Sequence, residues 1–439
     1  MTVHFVGVGG AGMSGIARVL AQRGERVTGS DREDTPLLQV LAGEGITCHV
    51  GHAAAYVDSA DRVIVSGAIP DDAPELVHAR ELGLPIQHRA EALAEILRDH
   101  PQRIVVTGSH GKTTTTSMLA FAATRLGLDP TFVVGGELRD LGTNARGGNT
   151  GLAIVEGDES DRSVALLPAS IAVVLNVELD HLDHYATTDD VVALLASWTA
   201  GLPTDGLLVL GDGVDLPSPA PIQRFGVGPG HGLRALDVTP VAGGLVFRPS
   251  RGPTEVRLQV PGVHNASNAC AAAVALEALG VPLDKAFAAL AQFTGAGRRF
   301  EVLGTRAGIT VVDDYAHHPT ELAAAIAAAR GQTSSRLIVF FQPHMPWRTK
   351  AFASAFADAL RGADHAVVME TYVARGAPDA DASAQRIVDL FKQAGDPVVE
   401  FAADDEDAVR ALRRIAQAGD LVLCCGAGPV DRVARAMLT

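Results

Sequence analysis

The sequence predicts an α/β protein of three domains, each a doubly wound parallel sheet covered by helices. Two observations carry this. Short apolar runs alternate with stretches of helical periodicity along the chain, and that alternation restarts twice after a polar or glycine-rich break. At 439 residues the chain also exceeds what one hydrophobic core usually organises.

The apolar run 3–8 breaks into Gly7-Val8-Gly9-Gly10-Ala11-Gly12 and resumes as a helical pattern through Ile16, Val19 and Leu20, which is strand, glycine turn, helix. A second strand ends at Asp31, a third covers Val63 to Val65, and an acidic helix runs from Ala90 to Arg98. Residues 98–103 are polar and form the expected linker. The rhythm restarts at Ile104-Val105-Val106, followed by a second glycine turn and a helix from Thr113 to Leu126. Further strands are expected at 152–155, 171–175 and 206–210, a Gly/Pro-rich, β-like stretch at 211–262, and a helix at 265–279. After Gly295-Ala296-Gly297-Arg298-Arg299 the third alternation has strands at 309–312, 337–341, 365–369 and 421–425. The expected domains are thus 1–98, 103–296 and 297–439.

Composition narrows the function. Hydrophobic residues make up 47% and charged residues 20%, as in a folded globular protein. A formal charge of −15 opposes a role in nucleic-acid binding, which needs clustered Lys and Arg. The four cysteines show no CxxC spacing, so a reducing, cytoplasmic setting is expected. No apolar run is long enough for a membrane anchor, and no export signal is visible.

The strongest chemical signal is Thr107-Gly108-Ser109-His110-Gly111-Lys112-Thr113, where a strand meets a helix. Backbone N–H groups of such a turn cradle phosphates, the lysine neutralises them and the threonine hydroxyl reaches Mg2+. Glu156-Gly157-Asp158-Glu159-Ser160-Asp161 follows the strand ending at Val155 and suits a hard cation. Asn176 to Asp183 follows the next strand and adds His181. The first glycine loop, with Asp31 nineteen residues after Gly12, fits a dinucleotide such as NAD and fits the diphosphate of a nucleotide sugar equally well.

Seven stretches in order resemble the Mur ligases, and among them the branch that adds L-alanine to UDP-N-acetylmuramate. They are His4 to Gly15, Gly108 to Thr116, Asp158 to Asp161, Asn176 to Asp183, Pro261 to Asn265, Arg298-Arg299-Phe300 and Asp313 to Pro319. The resemblance covers most of the chain. It implies a Rossmann-like N-terminal domain for the UDP-sugar, a P-loop central domain for ATP and a Rossmann-like C-terminal domain for the amino acid. It also implies an ADP-forming amide ligation in peptidoglycan synthesis, with Mg2+, in a monomer or homodimer.

Carried over by motif position, ATP falls to Gly108, Ser109, His110, Gly111, Lys112, Thr113, Thr114, Asn176, His264, Asn268, Arg299 and Asp314, with Asn268 toward adenine. Mg2+ falls to Thr113, Glu159 and His181. Substrate contacts fall to Gly9, Gly10, Gly12, Met13, Ser14, Asp31, Ser66, Arg89, Tyr315, His317, His344 and Arg348, and the catalytic set is Lys112, His181, Arg299 and His317. His317 is expected to position the amine, with or without removing its proton, and Arg348 to clamp the acceptor's carboxylate.

Two places depart from that pattern. Pro346 and Trp347 stand where an aromatic and a small hydroxyl residue are usual, and Pro429 stands where aspartate is. They leave the acceptor open between L-alanine and the substrate of a paralogue serving a specialised pathway. An NAD-dependent oxidoreductase would explain the first glycine loop and nothing after Lys112; a nucleotide switch would explain only the second loop.

Overall fold

A computed structural model of the chain describes residues 1–374, 379–393 and 398–439. The polypeptide packs as two compact units. Residues 1–178, 188–225 and 271–290 make the first, and residues 179–187, 226–270 and 291–439 the second.

The first unit opens with β1 (Thr2–Val6), β2 (Arg26–Asp31), β3 (Thr47–Val50), β4 (Arg62–Val65) and β5 (Ile86–His88). They lie in the order β3-β2-β1-β4-β5, every neighbouring pair parallel. Strand order reverses at β1, so the turn after it sits at the switch point where such sheets bind ligands. Gly7 takes φ 83° in that turn, which a side chain rarely tolerates.

The same unit contains β6 (Gln102–Thr107), β7 (Thr131–Leu138), β8 (Thr143–Arg146), β9 (Leu152–Glu156), β10 (Ile171–Val174), β11 (Leu207–Leu210) and β12 (Ile222–Val227). Their order is β12-β11-β10-β6-β9-β7-β8. Strand β6 pairs in parallel with β10 on one side and β9 on the other, so the turns after all three converge on one edge. Helix Ala11–Gln22 approaches β7 closely, because a Cβ at Gly15 would come 2.8 Å from Cγ1 of Val133.

The second unit holds an antiparallel meander, β13 (Leu233–Val241), β14 (Gly244–Pro249) and β15 (Val256–Leu258). It also holds β16 (Glu301–Arg306), β17 (Ile309–Asp314), β18 (Leu337–Phe341), β19 (His365–Met369), β20 (Val398–Ala402) and β21 (Leu421–Cys425). These six run in the order β16-β17-β21-β18-β19-β20. All pairs are parallel except β16 with β17. Strand β18 shows why its sequence is apolar throughout. Leu337, Val339 and Phe341 pack on one face with Phe356 and Leu360, while Ile338 and Phe340 pack on the other with Val367 and Leu412.

The expectation of purely parallel sheets needs correction in the central segment, where the sheet is mixed. β7 and β8 form an antiparallel hairpin, as do β13 and β14. The connections dictate this: four residues join Leu138 to Thr143 and two join Val241 to Gly244, whereas a parallel crossover needs about a dozen or more. The β16–β17 pair has the same cause, its turn made by Ala307 and Gly308 at φ 50° and 78°. Among the described residues no helix is long and apolar enough to cross a membrane.

Candidate nucleotide and acceptor sites

The turn after β6 is built for phosphate. Gly108 takes φ 129°, and Gly111 takes φ 84° as N-cap of helix Lys112–Arg125. A side chain at Gly108 would press on the backbone of Asn176, 2.9 Å from its carbonyl oxygen. Asn176 in turn braces the turn from β10: its Oδ1 accepts from the His110 N–H at 2.8 Å and its Nδ2 donates to the His110 carbonyl at 2.9 Å. The Glu178 carboxylate lies 2.8 Å from His110 Nε2, and the Ser109 hydroxyl donates to the Glu178 carbonyl at 3.0 Å. Thr114 is half-buried on the first turn of the helix.

Lys112 curls back into its own turn. Nζ donates to the Gly108 carbonyl at 2.7 Å and to the Glu159 carboxylate, whose second oxygen lies 2.9 Å away. Burial works against the charge on Lys112, but Glu159, Asp158 and Glu156 outweigh it and hold its pKa above the ordinary lysine range. Burial pushes the Glu159 carboxyl up, although Lys112 pulls it down. Thr113 Oγ1 donates to Glu156 at 3.0 Å, and the other oxygen of Glu156 accepts from the Gly135 N–H at 2.8 Å. The carboxylates of Glu156, Asp158, Glu159 and Asp161 outnumber the two cations beside them, Lys112 and Arg89, and the side-chain donors of Thr113, Glu156 and Glu159 are all oxygens. A hard divalent cation fits that set.

The turn after β1 presents backbone N–H groups at the start of helix Ala11–Gln22. Asp31, at the end of β2, accepts from the Gly9 N–H at 2.8 Å and so braces the loop. Gly10 and Gly12 line the same turn, and a Cβ at Gly12 would sit 3.3 Å from the Arg89 guanidinium. Arg89 donates to Asp158 at 2.9 Å and to Asp161 at 2.8 Å, tying this loop to the acid cluster. Ser66 is half-buried just beyond β4. Met13 and Ser14 do not offer side chains to a ligand. Both are buried, and the Ser14 hydroxyl donates to the Ala11 carbonyl and accepts from Asn144, because this helical face packs on β7 and β8.

In the second unit, the turns after β17 and β18 gather the remaining groups. Asp314 accepts from the N–H groups of Phe300 at 2.7 Å and Ala316 at 2.8 Å, and burial pushes its carboxyl up to about 6 against the pull of Arg299. The Arg299 guanidinium lies 4.9 Å from the Tyr315 ring centre. His317 Nδ1 donates to the Tyr315 carbonyl at 2.9 Å, which leaves Nε2 as the acceptor. Burial, helped by Arg348, pushes His317 down to about 4, so the imidazole is neutral near pH 7. Asn268 is buried and donates to the Asn265 side chain at 3.1 Å, while His264 at the start of that helix is exposed.

Arg348, expected to meet an incoming carboxylate, meets one from its own chain. Its Nε and Nη2 donate to Asp180 at 3.0 and 2.8 Å, and the two side chains are only 2% and 7% exposed. His181, next to Asp180, takes φ 54° and lies 6.4 Å, ring to ring, from Trp347. Sequence reading gave no role to Asp180 and none to Glu156 by itself. Both stood inside acidic stretches already singled out, and which oxygen faces which partner depends on packing.

A lysine-bearing phosphate turn set among carboxylates at the switch point of an α/β sheet defines a nucleotide-handling α/β protein. Comparison with known proteins is more specific. Family models match in order: the Mur ligase family catalytic domain over residues 2–101, the Mur ligase middle domain over 106–276, and the Mur ligase glutamate ligase domain over 298–428. The chain belongs to the Mur ligase family. It is 43% identical to the UDP-N-acetylmuramate–L-alanine ligase of Rubrobacter xylanophilus, across 100% of this chain and 99% of that one. Its identity to the protein of that name from an Arthrobacter species is 44%, over 95% of this chain and 90% of the other. The crystal structure of UDP-N-acetylmuramate–alanine ligase from Thermotoga maritima superposes with a TM-score of 0.87 at 29% identity, covering 100% and 98% of the two chains.

Proposed function

We propose that this chain is an ATP-dependent, ADP-forming ligase that joins the carboxylate of UDP-N-acetylmuramate to the amine of L-alanine in peptidoglycan precursor synthesis. One observation carries the reading: Lys112, half-buried, is ion-paired with the buried Glu159 in an intact phosphate turn, in a chain 43% identical over its whole length to a protein named for that reaction. We further propose domains at 1–98, 103–296 and 297–439 and a cytoplasmic location, which the four free cysteines fit.

A carboxylate is a poor electrophile, so a leaving group must first be made. A carboxylate oxygen attacks the γ-phosphorus of ATP, the bond to ADP breaks and an acyl phosphate forms. The amine then attacks the acyl carbon, phosphate departs with the original carboxylate oxygen, and the amine gives up a proton. Lys112, whose charge the surrounding acids hold in place, neutralises the phosphoryl oxygens as charge spreads over them. Thr113 and Glu159 would hold Mg2+, which when bound would offset phosphate charge; His181 is assigned to it by motif position alone. Asn268 toward adenine, and Arg299 and Asp314 toward phosphates and ribose, rest on the same ground. With its basicity depressed, His317 suits holding the amine through Nε2 better than carrying its proton away.

The test is ADP release by the purified chain in the presence of ATP and Mg2+. ADP should accumulate beyond one equivalent per enzyme only when UDP-N-acetylmuramate and L-alanine are both present. Turnover of NAD(P)H, or ADP release that ignores the amino acid, would refute the reading.

A further inference from the structure

The acceptor end of the second unit contains a buried ion pair to which the reaction assigns no part. Asp180 grips Arg348 along the Nε–Nη2 edge, its second oxygen accepting from Nη2 at 3.0 Å. The remaining nitrogen, Nη1, faces His344, lying 3.3 Å from Nδ1 and 3.4 Å from the carbonyl oxygen. All the guanidinium nitrogens thus have partners within the chain. Such a group acts on a ligand through what it holds.

Arg348 holds two things. His344 is kept with its ring stacked at 21° on Tyr372 and its ring centre 6.0 Å, edge to face, from that of His317, the residue proposed to position the amine. The Trp347 ring lies over the guanidinium, 4.6 Å from its carbon, and the buried indole N–H finds no acceptor among the described residues. An indole N–H only donates, so a buried one without a partner is a place for a ligand oxygen.

We infer that Asp180 is a positioning residue of the acceptor subsite, acting through Arg348 to hold His344 and the Trp347 N–H toward the polar end of the incoming amino acid. The inference rests on the proposed ligase function. Trp347 is then the specificity residue, and Arg348 is its platform. The two-pronged grip fixes the guanidinium plane, which a single contact would leave free to turn.

The experiment compares wild type with Asp180→Asn and Trp347→Phe by steady-state kinetics, with L-alanine as the varied acceptor and Mg2+ titrated separately. Asp180→Asn keeps the shape and removes the charge; Trp347→Phe keeps a ring and removes the N–H. Each should raise the KM for L-alanine about tenfold or more, with the KM for ATP within twofold and the Mg2+ dependence unmoved. A merely structural role would lower the melting temperature and kcat without separating the two KM values. In a Trp198→Phe background, where Trp347 is the remaining tryptophan, Asp180→Asn should also shift the emission maximum, a readout independent of turnover. An unchanged acceptor KM in both variants overturns the inference alone, as does a shift in Mg2+ dependence with Asp180→Asn, which would mean that Asp180 serves His181 instead. Wild type lacking amino-acid-dependent ADP release would overturn the ligase function itself and the inference with it.

Discussion

At the scale of single residues, the sites depend on charges held largely out of water. Lys112 balances Glu159, which is 3% exposed, so Lys112→Ala removes a phosphate contact and also strands a buried acid. Loss of a contact to developing charge typically costs about 2.7–4 kcal/mol, or roughly 100- to 1,000-fold in kcat. Stranding the acid should lower the melting temperature as well. Adding Glu159→Gln should recover the melting temperature without turnover, a pattern that thermal scans and ADP assays check together. His4 supplies a separate prediction. Burial pushes its pKa down to about 4, while its ring accepts or donates at 2.8 Å to Thr28. Between pH 6.5 and 4 the unfolded chain therefore binds more protons at this position than the folded one. The contribution is complete above pH 6.5 and is lost as pH falls toward 4, a span worth roughly 3 kcal/mol at about 1.4 kcal/mol per pH unit. His4→Gln should thus lose less stability than wild type between pH 7 and pH 4.5 in denaturant titrations; equal losses would remove His4 from the account. The residue types at these positions were legible in the sequence, but their pairing was not. Arg348 was read as a clamp for a foreign carboxylate because no pattern shows that Asp180, 168 positions away, already occupies it.

At the scale of elements, the glycine turns and most buried strands were legible and the edges were not. The glycine turns after β1 and β6 stand where the sequence put them, since positive φ at Gly7, Gly108 and Gly111 demands glycine. Strands β10, β11, β18 and β21 announced themselves as apolar runs because every residue in them, on both faces, is buried. Strands β3, β5, β8, β16 and β20 went unread, and each lies at the end of a strand order; β7, beside the edge strand β8, went unread too, although Thr131 to Val134 are buried. An edge strand such as β5, Ile86-Gln87-His88, is short and half-buried on every residue, so neither an apolar run nor an alternation marks it. Gly108→Ala tests the phosphate turn as an element. The new methyl would meet the Asn176 carbonyl oxygen at 2.9 Å, its nitrogen at 3.0 Å and the Leu175 nitrogen at 3.1 Å, all backbone atoms of the segment that braces the turn. The turn must shift, so the KM for ATP should rise at least tenfold. Gly127→Ala, at φ 77° with nothing within 4 Å, also puts a side chain at positive φ but without the collision. It should cost about 1 kcal/mol of stability and leave that KM alone. Equal ATP KM values in the two variants would contradict the role given to this turn.

At the scale of the whole molecule, the two restarts of the βα rhythm were visible because each follows a polar or glycine-rich break. The packing units were not, since they cut across chain order: residues 179–187 and 226–270 associate with 291–439, while 271–290 return to the first unit. Sequence periodicity reports which face of an element is buried, not which neighbour buries it. The consequence for function is that His181, carried within the middle-domain match, packs in the unit that also holds Arg348 and His317. The central claim is that a carboxylate is activated as an acyl phosphate before the amine arrives, and oxygen tracing tests it most directly. UDP-N-acetylmuramate labelled with oxygen-18 in its carboxylate is converted with ATP, Mg2+ and L-alanine, and the released phosphate is weighed by mass spectrometry. One labelled oxygen in each phosphate, with one ADP per amide formed, is the expected result. Unlabelled phosphate alongside amide product would mean that the carboxylate oxygen never bonded to phosphorus, and would contradict the mechanism.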